Sequence, residues 1–222
     1  MDKKREYIDL IVGFIGAVLG LVGVSMLNRY LLPVMPIGLR MLFMIIGYWL
    51  IALVPLIIIF VRKESFADYG FSGENRGKQT IVGVLIGVGM SLVLILIPIL
   101  AGFGKFVDSG KRYHYVWQFC YEFVYCILAV SAVEEIVFRG FIYGKLKKAG
   151  KSDLFAIVIS SVLFGAYHLM AGNLLQVLVT GCIGAFLCVC RLKIKNCTTL
   201  SLIVGHGLHD ALITVWAVIF LK

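Results

Sequence analysis

Seven apolar runs, at residues 8–28, 41–61, 80–103, 117–145, 153–170, 173–191 and 198–221, leave this chain few ways to fold. Most approach or exceed ~18 residues, the length at which an α-helix crosses the hydrocarbon core of a bilayer. In lipid a backbone must satisfy its own polar groups, and a helix does so within one segment. The expectation is therefore an all-α integral membrane protein with about seven transmembrane helices. Composition points the same way: of 222 residues, 61% are hydrophobic and only 15% charged, too much apolar surface for a soluble domain to cover. The first run follows Lys3, Lys4 and Arg5, as a signal peptide would. It is long enough to span and ends without an A-x-A-like cleavage site, so it reads as a retained span.

The connections carry the punctuation. Pro33 and Pro36 sit between the first two runs, residues 62–79 form the longest polar stretch, and residues 140–151 are strongly basic. The connection at 170–173 is so short that runs five and six should be antiparallel neighbours. With the N-terminus inside, about 15 of the 21 Lys and Arg fall on the inner side, which favours a cytoplasmic N-terminus in a multi-pass cell-membrane protein. The net charge of +9 is then a property of the inner loops, and Lys145, Lys147 and Lys148 are expected to meet anionic lipid headgroups. No basic stripe with interleaved aromatics suggests nucleic-acid binding. The six cysteines form no C-x-x-C pair and most lie in apolar runs, which argues against a disulfide framework or a zinc ribbon. Gly13, Gly16, Gly20 and Gly23 in the first run, and Gly83 and Gly87 in the third, suggest close helix packing through small residues.

The middles of the first three runs carry no charge. Later runs carry Glu122, Glu134, Glu135, Arg139, His168, His206, His209 and Asp210. Ionisable groups inside a membrane are costly and usually line a polar cavity with a function. At ~1.5 Å of rise per residue, Glu134, His168 and His206 lie ~17, ~22 and ~12 Å from the same membrane face, so they can share a level. Adjacent Glu134 and Glu135 point ~100° apart, while Glu135 with Arg139, and His206 with Asp210, share a helix face at i,i+4. Glu134 is therefore assigned to chemistry, Glu135 and Arg139 to support. Phe164, one turn before His168, is placed to pack beside it. Bland readings fit the rest: His209 as a satisfied packing residue, Glu122 and Tyr121 at the interface, and Trp49, Trp117 and Trp216 as anchors.

These residues resemble a known family. Glu134-Glu135-Ile136-Val137-Phe138-Arg139 looks like the EExxxR motif of the CPBP family, the CAAX-protease and bacteriocin-processing (Abi-like) membrane endopeptidases. Phe164-Gly165-Ala166-Tyr167-His168 is similar to its FxxxH motif, and His206 with Asp210 to its final His-x-x-x-Asn/Asp pair. The resemblance implies a catalytic core over residues 116–222, preceded by three N-terminal helices over residues 1–115. It implies a peptidase in which Glu134 activates water, His168 orients that water, and His206 with Asp210 stabilises the oxyanion. The substrate would be a membrane-associated peptide or protein, and the compact size resembles bacterial members with roles in peptide maturation or bacteriocin self-immunity. Asp210 departs from the Asn of better-known CAAX-processing members, and an ionised Asp cannot donate a hydrogen bond.

Other readings stay open at this point. No cofactor is expected, but Glu134, His168 and His206 would also suit zinc, although H-E-x-x-H is missing. Intramembrane Glu, His and Asp also build proton-coupled transporters, although no internal repeat is evident here. A non-enzymatic immunity protein could use the same cavity to capture a peptide.

Overall fold

Each apolar run becomes helix. The computed structural model describes residues 2–170 and 174–221, and among these residues all regular structure is helical. We number the helices α1 (Lys3–Val34), α2 (Ile37–Tyr48), α3 (Leu50–Val61), α4 (Arg76–Phe106), α5 (Val116–Lys148), α6 (Asp153–Tyr167), α7 (Leu174–Lys193) and α8 (Thr199–Phe220). The short connection expected between α6 and α7 falls at 171–173, outside the described residues.

The expected count of seven spans is not confirmed. Among the described residues five helices, α1, α4, α5, α7 and α8, are long and apolar enough to cross a membrane. The run at 41–61 breaks at Trp49 into α2 and α3, bent by 42°, and counts as a sixth span if the pair crosses as one. α6 has 15 residues, so it reaches only ~22 Å at ~1.5 Å per residue, short of a hydrocarbon core of ~30 Å. Large apolar side chains face outward, among them Leu19, Phe60, Leu85, Leu154 and Leu178. That outer surface suits lipid, and the molecule reads as a multi-pass membrane protein.

Small residues set the helix contacts, as the glycine pattern suggests. A side chain at Gly16 would strike Val54, and one at Gly20 the backbone of Leu50 and Ile51, so α1 and α3 touch along these positions. Gly13 lies under the Phe141 ring of α5. Gly23 has more room, with Leu50 Cδ1 as its nearest neighbour at 3.6 Å. Gly83 and Gly87 of α4 meet the backbone of Ser201 and Gly205 on α8. Such approaches give close van der Waals contact where lipid supplies no hydrophobic drive between helices.

One end of the bundle is closed by charge, and here the expectation for Lys145 is corrected. Lys145 is fully buried, its ammonium 3.0 Å from Glu6, 3.1 Å from Asp9 and 2.9 Å from Glu64. Lys148 reaches Glu64 at 3.3 Å and Asp68 at 2.9 Å, and Lys147 reaches Asp153 at 2.8 Å. The buried Glu6 and Asp9 outcompete headgroups for the Lys145 ammonium, because both partners escape unpaired burial, whereas Lys147 and Asp153 are exposed. Arg62 adds a two-point contact to Asp9, at 2.8 and 3.1 Å. α1, α5 and the segment after α3 are thereby pinned together. That segment is stitched in turn to α8, with Thr199 donating to the Tyr69 carbonyl at 2.8 Å and, from its backbone, to Gly70 at 2.9 Å.

Two outcomes follow for stability. Lys145→Met leaves the buried Glu6 and Asp9 and the half-buried Glu64 around an apolar side chain, and we expect a loss of about 3–5 kcal/mol in unfolding experiments on micelle-embedded protein. Burial pushes the Glu64 carboxyl up, but hydrogen bonds from Tyr69 and Lys145 outweigh it and hold it below the usual glutamate range. Its contribution is complete above the ordinary value of about 4.3 and is lost as pH falls through the lower folded value. The melting temperature should therefore drop on acidification below about pH 4, and Glu64→Gln should shallow that drop.

Candidate functional site

The candidate residues sit where α5, α6 and α8 converge, and the winding of α5 places them there. Ala132–Glu134 is an α-helical turn flanked by π-helical stretches at Cys126–Ser131 and Glu135–Ile142. Wider turns of this kind re-aim side chains and recur at functional sites. α8 approaches α5 closely because Gly207 has no side chain to strike Ser131 and Ile127. The Ser131 hydroxyl then donates across the gap to the Ile203 carbonyl at 2.7 Å. This contact brings His206 down onto the two glutamates.

His206 is the hub. Its Nδ1 lies 2.8 Å from Glu135 Oε1, and its Nε2 lies 3.9 Å from Glu134 Oε2 and 3.5 Å from Asp210 Oδ2. Glu135 also pairs with Arg139 at 3.1 Å, the i,i+4 partnership expected from spacing. The Arg139 guanidinium is fully buried and sits 3.9 Å from the Phe164 ring centroid. Phe164 packs edge-on against His168 at 4.7 Å and His206 at 6.0 Å. His168 ends α6, and its Nδ1 is 2.9 Å from the Phe164 carbonyl oxygen, which leaves Nε2 for another partner. Glu134, Glu135 and His206 are buried, while Asp210 and His168 keep partial exposure. All seven residues singled out from the sequence thus meet: Glu134, Glu135, Arg139, Phe164, His168, His206 and Asp210.

One contact was not foreseen. The Tyr48 hydroxyl, at the end of α2, donates to Glu134 Oε1 at 2.8 Å. A lone Tyr in an apolar run carries no spacing signature, so only the fold reveals it. Two further expectations change. Glu122 is buried instead of interfacial, taking a hydrogen bond from Tyr113 at 2.7 Å and an ion pair from Lys111. His209 is buried, but its Nδ1 has no hydrogen-bond partner among the described residues, so it is not a satisfied packing residue. Trp49, read as a packing or interface anchor, donates from Nε1 to the Leu128 carbonyl at 3.1 Å and fastens the α2–α3 break to α5.

The zinc alternative can be tested against geometry. Among the described residues, the one group of three acidic, His or Cys side chains with ligand atoms within 4.8 Å of one another is Glu6, Asp9 and Glu64. Lys145 already supplies the positive charge there. Glu134, His168 and His206 do not form such a group, so we derive no step through a metal.

This geometry carries the motif order of one family across three helices. Residues 116–212 match the Type II CAAX prenyl endopeptidase Rce1-like family. The matched segment holds all three motifs, and it upholds the family resemblance that they suggest. No curated protein and no solved structure matches the chain. Tyr48 lies outside the matched segment.

The buried pair makes a direct prediction. Arg139→Met strands the Glu135 carboxylate and should destabilise the fold by about 3–5 kcal/mol. Adding Glu135→Gln should recover much of that loss, because the two residues share one network. Unfolding of the two single variants and the double variant measures the coupling, and simple additivity would contradict the pairing.

Proposed function

We propose that the protein is a CAAX-type intramembrane endopeptidase, hydrolysing peptide bonds of membrane-associated peptides or proteins with water activated by Glu134. The observation that carries this reading is the placement of the Glu134 carboxylate. It is buried, held at Oε1 by a phenol, and turned at Oε2 towards His206 at 3.9 Å. That separation is too long for a direct hydrogen bond, so Oε2 is not committed to His206. The family match over residues 116–212 supports the same class of reaction.

In this reading a water between Glu134 and His168 loses a proton to Glu134 Oε2 as its oxygen bonds to the scissile carbonyl carbon. The carbonyl oxygen gains negative charge and is stabilised by an N–H of His206, a donor worth most where water is scarce. As the tetrahedral intermediate collapses, the C–N bond breaks, and Glu134 returns the proton to the leaving amine. Glu135 fixes the orientation of His206 through Nδ1, as second-layer carboxylates commonly do for imidazoles. Asp210 flanks Nε2 and steadies the ring from the other side. A carboxylate at position 210 therefore acts on His206 and not on the oxyanion, which would repel it.

The wider context extends the same proposal: a bacterial membrane, a cytoplasmic N-terminus, and a role in peptide maturation or bacteriocin self-immunity. Under that orientation the Lys145 cluster faces the cytoplasm.

Liposomes containing the purified protein, with a panel of peptides carrying a C-terminal CAAX sequence in prenylated and unprenylated forms, test the reading. Glu134→Gln should lower cleavage by roughly 10²–10⁴-fold. Survival of cleavage in that variant sinks the base assignment, and uptake of a solute with no proteolysis favours a transporter. Chelation should leave the rate unchanged, whereas loss of activity with release of stoichiometric zinc revives the metal alternative. Asp210→Asn should keep turnover, and Asp210→Ala should lower it by on the order of tenfold, or ~1.4 kcal/mol of transition-state stabilisation.

A further inference from the structure

The N-terminal helices contribute a side chain to the reacting carboxylate. We infer that Tyr48 is a positioning residue for Glu134, holding one carboxylate oxygen by its hydroxyl so that the other is presented to water and substrate. The inference rests on the assignment of Glu134 as base in the reading above.

The contact is well placed for this role. The donor–acceptor distance is 2.8 Å, within the range of a strong O–H···O bond, and the acceptor is Oε1. The oxygen that faces His206 Nε2 is the other one, Oε2. One phenol therefore decides which oxygen of a symmetric carboxylate is free. Without it, Glu134 could rotate about its terminal torsion, which is broad and nearly two-fold.

Tyr48 itself is held from several sides. Its ring meets Tyr125 of α5 edge-on at 6.2 Å, and Tyr125 stacks on Tyr121 at 5.9 Å. The Tyr121 hydroxyl returns to α2 by donating to the Met41 carbonyl at 3.0 Å. The next residue, Trp49, is pinned to the Leu128 carbonyl at the bend between α2 and α3. α2 is thus docked on α5 along more than two turns, and the break that follows Tyr48 falls at the level of Glu134. The matched family segment begins only at residue 116, so this donor comes from outside it.

Hydrogen bonds to an ionised acceptor are among the stronger ones, and their loss without loss of the ring isolates the hydroxyl. Tyr48→Phe should lower kcat about tenfold to a hundredfold on a quenched peptide ending in a prenylated CAAX sequence, with KM unchanged. In the Glu134→Gln background, Tyr48→Phe should have no further effect, because the two groups act as one. 3-Fluorotyrosine at position 48, which keeps ring and hydroxyl, should restore turnover to near the wild-type rate. Infrared difference spectra give a readout independent of turnover: the carboxyl band removed by Glu134→Gln should shift in Tyr48→Phe.

Wild-type kcat in Tyr48→Phe, an effect confined to KM, additivity with Glu134→Gln, or an unmoved infrared band would each overturn the inference. Failure of the underlying reading looks different. If Glu134→Gln turns over like the wild type, the base assignment is wrong. If Glu134→Gln is silent while Tyr48→Phe is fully active, only the role of Tyr48 falls.

Discussion

The site depends on Glu135. Its carboxylate joins Arg139 at 3.1 Å to His206 at 2.8 Å, and so ties the middle of α5 to α8. All three side chains are buried, where an unpaired charge costs several kcal/mol. The guanidinium spreads this constraint to α6 by lying on Phe164, and Gly184 of α7 leaves the space that Arg139 Nη2 fills. Four helices are therefore registered against one another by one ionic line. Glu134 needs no such role, which leaves its carboxylate available. In the proposed mechanism, adjacent glutamates divide the tasks of holding the site and acting in it.

The bilayer makes this division effective. Helices in lipid gain little from burying apolar faces against each other, so small-residue contacts and polar links decide which faces meet. Gly83, Gly87, Gly205 and Gly207 let α8 lie close to both α4 and α5, and Ser131 adds a hydrogen bond across the second contact. Bringing α8 this near is what reduces the His206–Glu135 distance to hydrogen-bond length. The π-helical winding of α5 on both sides of Glu134 complements it, since a strict α-helix carrying the same residues would aim them differently.

Much of this is legible in the sequence, for identifiable reasons. Apolar run length marks the helices because the membrane imposes a length, and i,i+4 spacing marks the Glu135–Arg139 and His206–Asp210 pairs because one helix face imposes a spacing. What escapes is whatever depends on two distant segments. Tyr48 is one such case. Lys145 is another: it stands in a basic cluster that reads as membrane-facing, and only the fold brings Glu6, Asp9 and Glu64 around it. The span count is hard to read for a related reason. Apolarity continues through Trp49 and through His168–Met170, but the backbone bends at the first and tightens to a 3-10 turn at the second.

The same long-range contacts give the N-terminal half a defined part in positioning the candidate site. α5 is held by that half at two heights, at Lys145 through Glu6 and Asp9 of α1, and at Glu134 through Tyr48 of α2. The two points are about eleven residues apart, or roughly 16 Å of helix. Two fixed points on a helix determine both its axial position and its rotation, and rotation is the variable that decides whether Glu134 or its neighbours face the cavity. The matched segment 116–212 carries the motif side chains, but the orientation of the helix bearing Glu134, Glu135 and Arg139 is set from outside it. The N-terminal helices are in this sense part of the site and not only its membrane anchor.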